Sequence, residues 1–180
     1  MNPIDIILKY YAAESEAYRI LTSHSRSVAD KALAIARMHP EMHLDHTFIE
    51  EGAMLHDIGI FMCHAPEIGC FGQAEYICHG YLGAGLMQRE NLPRHALVCE
   101  RHTGTGIPLE EIERRNLPLP RRDMIPVTME EQVICFADKF FSKTKLEREK
   151  PVDKIKKSLS KHGDAALLRF ENWYKLFLGE

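Results

Sequence analysis

Apolar residues recur at helical spacing along most of the chain. Ile4, Ile7, Leu8, Tyr11, Tyr18 and Leu21 predict a helix over 4–21, and Val28, Ala32, Ile35 and Ala36 predict a second from Ser23-His24 to about His39. Pro40 stops it. Thr47-Phe48-Ile49-Glu50 has the capping spacing that starts a helix, and Gly59 is expected to end it. After a loop over 61–72, helical pattern resumes from Gln73 to Glu90, interrupted by glycines at 80, 83 and 85. Each glycine costs a helix about 1 kcal/mol relative to Ala, so three of them imply close backbone packing or an approaching ligand. Pro93 suits the first turn of a helix reaching His102. Residues 107–127, with four prolines, form one long irregular segment with a short turn near 108–115, of the kind that serves as a lid or binding loop. Thr128-Met129-Glu130-Glu131 repeats the capping pattern before Val133, Ile134, Ala137, Asp138 and Phe141, and helices over 151–161 and 164–178 close the chain. No segment alternates like a strand. The expected fold is all-α: a single domain over 1–180, with a core at about 20–145 on which the helices of 151–178 pack.

Composition narrows the classes. A formal net charge of −3 argues against nucleic acid as the main partner. Five cysteines, odd in number and without a C-x-x-C pair, fit a reducing compartment better than a disulfide framework. The N-terminus carries no signal-peptide pattern, and no apolar run approaches the roughly 20 residues that span a bilayer. A cytoplasmic protein is expected.

The chemistry lies in His56-Asp57, side by side after an apolar run. A buried aspartate there is costly without something cationic beside it. His24, His79, His102 and Asp138 sit on or next to apolar faces of other helices. Singly, each is more often a satisfied core or surface group. Together they supply four imidazoles and two carboxylates, enough for two metal ions sharing one carboxylate inside a helical bundle.

The order His … His-Asp … His … His … Asp resembles the HD-domain superfamily of metal-dependent phosphohydrolases. His56-Asp57-Ile58-Gly59 is similar to its H-D-I-G subgroup, and the segments beginning at His24, His79 and His102, with Phe136-Ala137-Asp138-Lys139, complete the set. The match extends over roughly 20–145. It resembles short, functionally unassigned H-D-I-G hydrolases and, more distantly, bacterial symmetrical diadenosine tetraphosphate hydrolases. Two departures stand out: Ile60 occupies a position where many relatives have lysine, and the Glu-Asp pair of guanosine tetraphosphate hydrolases is missing.

The resemblance implies an all-α bundle with a metal site between core helices. His24, His56, Asp57 and Asp138 would hold one ion, and Asp57, His79 and His102 a second. The ions would be divalent transition metals such as Fe, Mn, Co, Ni or Zn. A metal-activated hydroxide would cleave a phosphoester or phosphoanhydride of a nucleotide or similar small molecule. Asp57, Lys139 and Arg101 are the expected catalytic residues, the latter two as phosphate holders, with Lys143 a lesser candidate. The expected partner is a small phosphorylated substrate, with no nucleic acid, no membrane and an oligomeric state left open. The alternatives are a di-iron oxygenase and a non-catalytic metal- or nucleotide-binding sensor module. The Lys-rich stretch 145–162 reads as a solvated amphipathic helix, or else as a basic rim that attracts anions.

Overall fold

A computed structural model describes residues 1–179. Its longest element is a helix over Glu16–Met38, started by the Ser15 side chain accepting from the Tyr18 amide. No glycine or proline interrupts 16–38, so Ser23-His24 lies inside a helix and does not begin one. This corrects the expected break near 22. The segment before it holds only a short helix, Pro3–Ile7, followed by turns in which the Tyr11 hydroxyl donates to the Ile58 carbonyl at 2.7 Å.

In chain order the helices are α1 Pro3–Ile7, α2 Glu16–Met38, α3 His46–Leu55, α4 His79–Arg89 and α5 Pro93–Arg101. They continue with α6 Leu109–Arg114, α7 Met129–Asp138, α8 Val152–Leu159 and α9 Asp164–Leu178. The fold is all-α, as the periodicity implies. A two-residue hairpin between α3 and α4, β1 His64–Ala65 against antiparallel β2 Cys70–Phe71, escaped the sequence pattern because it is too short to alternate. Among the described residues no helix is long and apolar enough to cross a membrane.

Helices α2, α3, α5 and α7 enclose the core, and α4 lies along α5. Asp45 caps α3 through the Phe48 amide, two residues before the expected Thr47. Thr128 caps α7 as the pattern predicts. Helix α9 closes the core over α7, with Phe170 and Phe177 against the Phe136 ring at 5.2 and 5.4 Å. Burying each such ring contributes about 2–3 kcal/mol. The 107–127 segment is packed, with its own small core of Ile107, Ile112, Leu119 and Met124 against Cys78.

Gly59 does not end α3 in a left-handed turn. The helix stops at Leu55, and Gly59 has φ −83°. It is glycine because α4 passes there: an added Cβ would lie 2.3 Å from the His79 carbonyl oxygen and 2.5 Å from the Gly83 nitrogen. Gly80 is equally tight, 2.5 Å from the Cys99 carbonyl oxygen, and Gly83 meets the Gly59 nitrogen at 3.2 Å. A Cβ added at Gly85 would meet nothing within 4 Å among the described residues. Two of the three α4 glycines therefore serve packing, and they bring His79 down onto the turn that carries Asp57.

Candidate functional site

His24 comes from the middle of α2, His56 and Asp57 from the turn after α3, and His79 from the first residue of α4. His102 caps α5 and Asp138 ends α7. Five of the six side chains are fully buried or nearly so, and Asp138 is largely covered. The structure brings all six together in two groups, His24, His56, Asp57 and Asp138, and Asp57, His79 and His102. Within each group the donor atoms lie within 4.8 Å of one another.

Backbone carbonyls set the histidine tautomers. His56 Nδ1 meets the Ala53 carbonyl at 2.6 Å, His79 Nδ1 that of Tyr76 at 2.6 Å, and His102 Nδ1 that of Cys99 at 2.7 Å. A carbonyl only accepts, so each Nδ1 carries its hydrogen and each Nε2 turns toward Asp57. His79 and His102 then face each other Nε2 to Nε2 at 3.0 Å, both 3.2 Å from Asp57 Oδ1. His24 and His56 approach Asp57 Oδ2 at 3.2 and 3.0 Å. The approaches to Asp57 are close but not along hydrogen-bond directions, whereas the two Nε2 atoms of His79 and His102 are aligned as a donor and an acceptor would be. Both Asp57 oxygens, His56 Nε2 and His24 Nδ1 are left without a hydrogen bond.

Lone pairs pointed at lone pairs and at a carboxylate repel unless something positive lies among them. Protons, the donor groups of a ligand, or a metal ion would each satisfy the arrangement, and the orphaned oxygens and nitrogens fit an ion chemically. The titration pattern agrees. Burial would push the His56 imidazole down, but the Asp57 and Asp138 carboxylates outweigh it and raise it to about 10. Burial lowers His102 to about 4, helped by the charge on His56 and despite Asp57. Burial also opposes charge on Asp57, yet His56 and Lys143 hold its carboxyl well below the ordinary range, as Lys139 does for Asp138.

The lysines divide unexpectedly. Lys139 Nζ pairs with Asp138 Oδ2 at 2.8 Å and donates to the His102 carbonyl. Lys143, the lesser candidate, reaches deeper: its Nζ is 2.6 Å from Asp57 Oδ2. Arg101 is not brought to the site. Its guanidinium binds the buried Glu131 carboxylate at 3.0 and 3.2 Å, and that carboxylate also accepts from the Val127 amide.

His24, His79, His102 and Asp138 line a cleft of about 550 Å³ whose walls carry Lys139, Lys143, Lys150 and Lys154, with Tyr76 and Thr103. The sequence reading missed Tyr76 altogether. It read the stretch with Lys150 and Lys154 as a solvated amphipathic helix or else a basic rim. Helix α8 starts at Val152, one residue after the expected 151, turns Ile155 and Leu159 inward as expected, and both lysines line the cleft. The signal was present in the stretch 145–162, but its position relative to the histidines was not.

Comparison with known proteins places the chain. It is 31% identical over 160 residues to the uncharacterized protein MJ0778 of Methanocaldococcus jannaschii, covering 87% of this chain and 84% of that protein. The chain belongs to the MJ0778 family. Two further relatives are each named tRNA (cytidine(56)-2'-O)-methyltransferase. The one from Thermoplasma volcanium is 32% identical over 86% of this chain, and the one from Picrophilus torridus 30% over 76%. The chain spans about two fifths of their length, 40% and 38% respectively. No protein-family model and no solved structure matches the chain.

The methyltransferase names correct several expectations. Methylating a ribose hydroxyl forms a carbon–oxygen bond and leaves phosphorus untouched. The names therefore overturn the assignment to HD-superfamily, H-D-I-G phosphohydrolases. The di-iron oxygenase and sensor-module alternatives fall with it. So does a dinuclear transition-metal cofactor for hydrolysis; the His/Asp groups stand as geometry that could hold an ion. The expected small phosphorylated partner and the exclusion of nucleic acid are corrected by the same two names, in which those relatives act on tRNA. Net charge misled because it averages over the surface, while a cleft can carry the opposite sign locally.

Proposed function

We propose that the chain takes part in 2'-O-methylation of tRNA, supplying the helical portion of that machinery that it shares with its two named relatives. The observation that carries this reading is the 32% identity to the Thermoplasma volcanium enzyme over 86% of this chain. We assign the cluster of His24, His56, Asp57, His79, His102 and Asp138, with Lys139 beside it, as the functional centre. Arg101 is left out because Glu131 engages it. The centre is rich in acceptors, and ribose hydroxyls are donors that the Nε2 lone pairs of His79 and His102, which line the cleft, can accept. The protein works in the cytoplasm, where its tRNA is.

The test maps 2'-O-methyl groups in tRNA from cells with and without this chain. Loss of the mark at cytidine 56 in its absence, restored by the wild type and not by an Asp57→Asn variant, is the expected result. An unchanged methylation map overturns the proposal.

A further inference from the structure

We propose that Lys150 and Lys154 form a phosphodiester-binding subsite at the mouth of the cleft, where one nucleotide of an RNA strand enters with its backbone phosphate. The inference rests on the tRNA reading and adds the face of the molecule that meets the strand.

Four lysines line the cleft, and two are already engaged. Lys139 is paired with Asp138, and Lys143 with Asp57. Among the described residues, the ammonium groups of Lys150 and Lys154 have neither ion pair nor hydrogen bond, although Lys150 is half-buried. Burial lowers the Lys150 pKa, the expected response of a cation with too little negative charge around it. The carboxylates on the cleft wall are Asp138, already engaged, and Glu67. Two unpaired cations beside a closed cluster attract an anion from outside.

The rest of the cleft selects the kind of anion. About 550 Å³ is far more than a lone carboxylate fills, and it lies in the range of pockets that take a nucleotide-sized group. Tyr76 stacks one ring face on His79 at 4.6 Å and is 37% exposed, giving a base a platform. Below it, the imidazole Nε2 atoms accept hydroxyl hydrogens, which RNA offers at each ribose. Phosphate, base and sugar thus each find a matching group, whereas an acidic peptide would use the lysines alone.

The experiment is fluorescence anisotropy of a labelled, unmodified tRNA transcript from 50 to 200 mM salt. It compares wild type, a Lys150→Ala/Lys154→Ala double variant and a control, Lys157→Ala/Lys161→Ala, which removes the same charge outside the cleft. Losing this one single-strand phosphate contact should make the slope of log K against log salt shallower by about 0.7 in the cleft variant and leave the control as wild type. K154A alone, at an exposed position, should shift it in the same direction and serves if the double variant folds poorly. Wild type that binds tRNA with both double variants equal to it overturns the subsite and leaves the tRNA reading standing. Wild type that binds no tRNA overturns both. Polyglutamate bound as tightly as tRNA, with the same loss in the cleft variant, overturns RNA in favour of an acidic protein.

Discussion

Gly59→Ala isolates the contact that seats His79 against Asp57. The Gly59 backbone, at φ −83°, accepts alanine without conformational strain, so any effect is steric. The new Cβ would lie 2.3 Å from the His79 carbonyl oxygen, 2.5 Å from the Gly83 nitrogen and 2.9 Å from the Gly83 Cα. The nearest of these falls about 1 Å short of ordinary contact, and all three atoms are backbone, so no side chain can swing away. Helix α4 must lift from the turn, carrying His79 from its 3.2 Å approach to Asp57 and loosening the fit of α4 on α5. Overpacking typically costs 1–3 kcal/mol, and a rigid backbone obstacle belongs at the top of that range, about 3 kcal/mol. For a chain of this length that lowers Tm by about 6–12 °C. Gly85→Ala is the matched control on the same helix, where an added Cβ meets nothing within 4 Å. It should stabilise by about 0.5–1 kcal/mol through helix propensity alone. Thermal and urea unfolding of both variants provide the assay. A G59A protein within 1 °C of wild type (about 0.3–0.5 kcal/mol) would refute the close packing of α4 on this turn.

Other outcomes follow from the same geometry. Arg101→Ala strands the Glu131 carboxylate, which is 3% exposed, and should cost about 3 kcal/mol while tRNA binding by the folded protein is retained; lost binding at an unchanged Tm would instead put Arg101 against the ligand. Stability should peak near pH 6.5. The raised His56 contributes stability below its unfolded value of 6.5 that is lost as pH climbs toward about 10. The lowered His102 contributes stability above 6.5 that is lost as pH falls toward about 4. The depressed Asp57 and Asp138 steepen the acid side below 3.8. A Tm profile flat from pH 4 to 10 would contradict this balance, and His56→Asn should flatten the alkaline limb. Asp57→Ala leaves Lys143 and His56 facing one another without their shared carboxylate, so denaturant unfolding should show a loss of about 3 kcal/mol.

Local signals carried much of the fold. Helical periodicity determined an all-α chain, Thr128 marked the start of α7, Pro93 opened α5, and the final helix lies where its apolar face placed it. The residues that gather at the site could be chosen by type, because imidazole and carboxylate on or beside apolar faces need compensation wherever they meet. Boundaries failed where two local cues competed. Asp45 capped α3 instead of Thr47, and nothing within 16–38 could interrupt α2 at Ser23. Function was not legible in that pattern, since ligand-like residue types specify which atoms can accept charge but not which reaction uses them.

Tertiary structure decided the rest, because side-chain partnership depends on through-space distance that no periodicity encodes. Arg101 and Lys143 look alike along the chain, each a cation near a motif. Packing sent one to Glu131 and the other to Asp57. It also placed Lys150 and Lys154 on the cleft wall and turned Gly59 from a helix stop into the surface on which α4 rests. Residue types supplied the groups that must be neutralised; only the packed chain determined which of them are neutralised from within and which are left for a ligand.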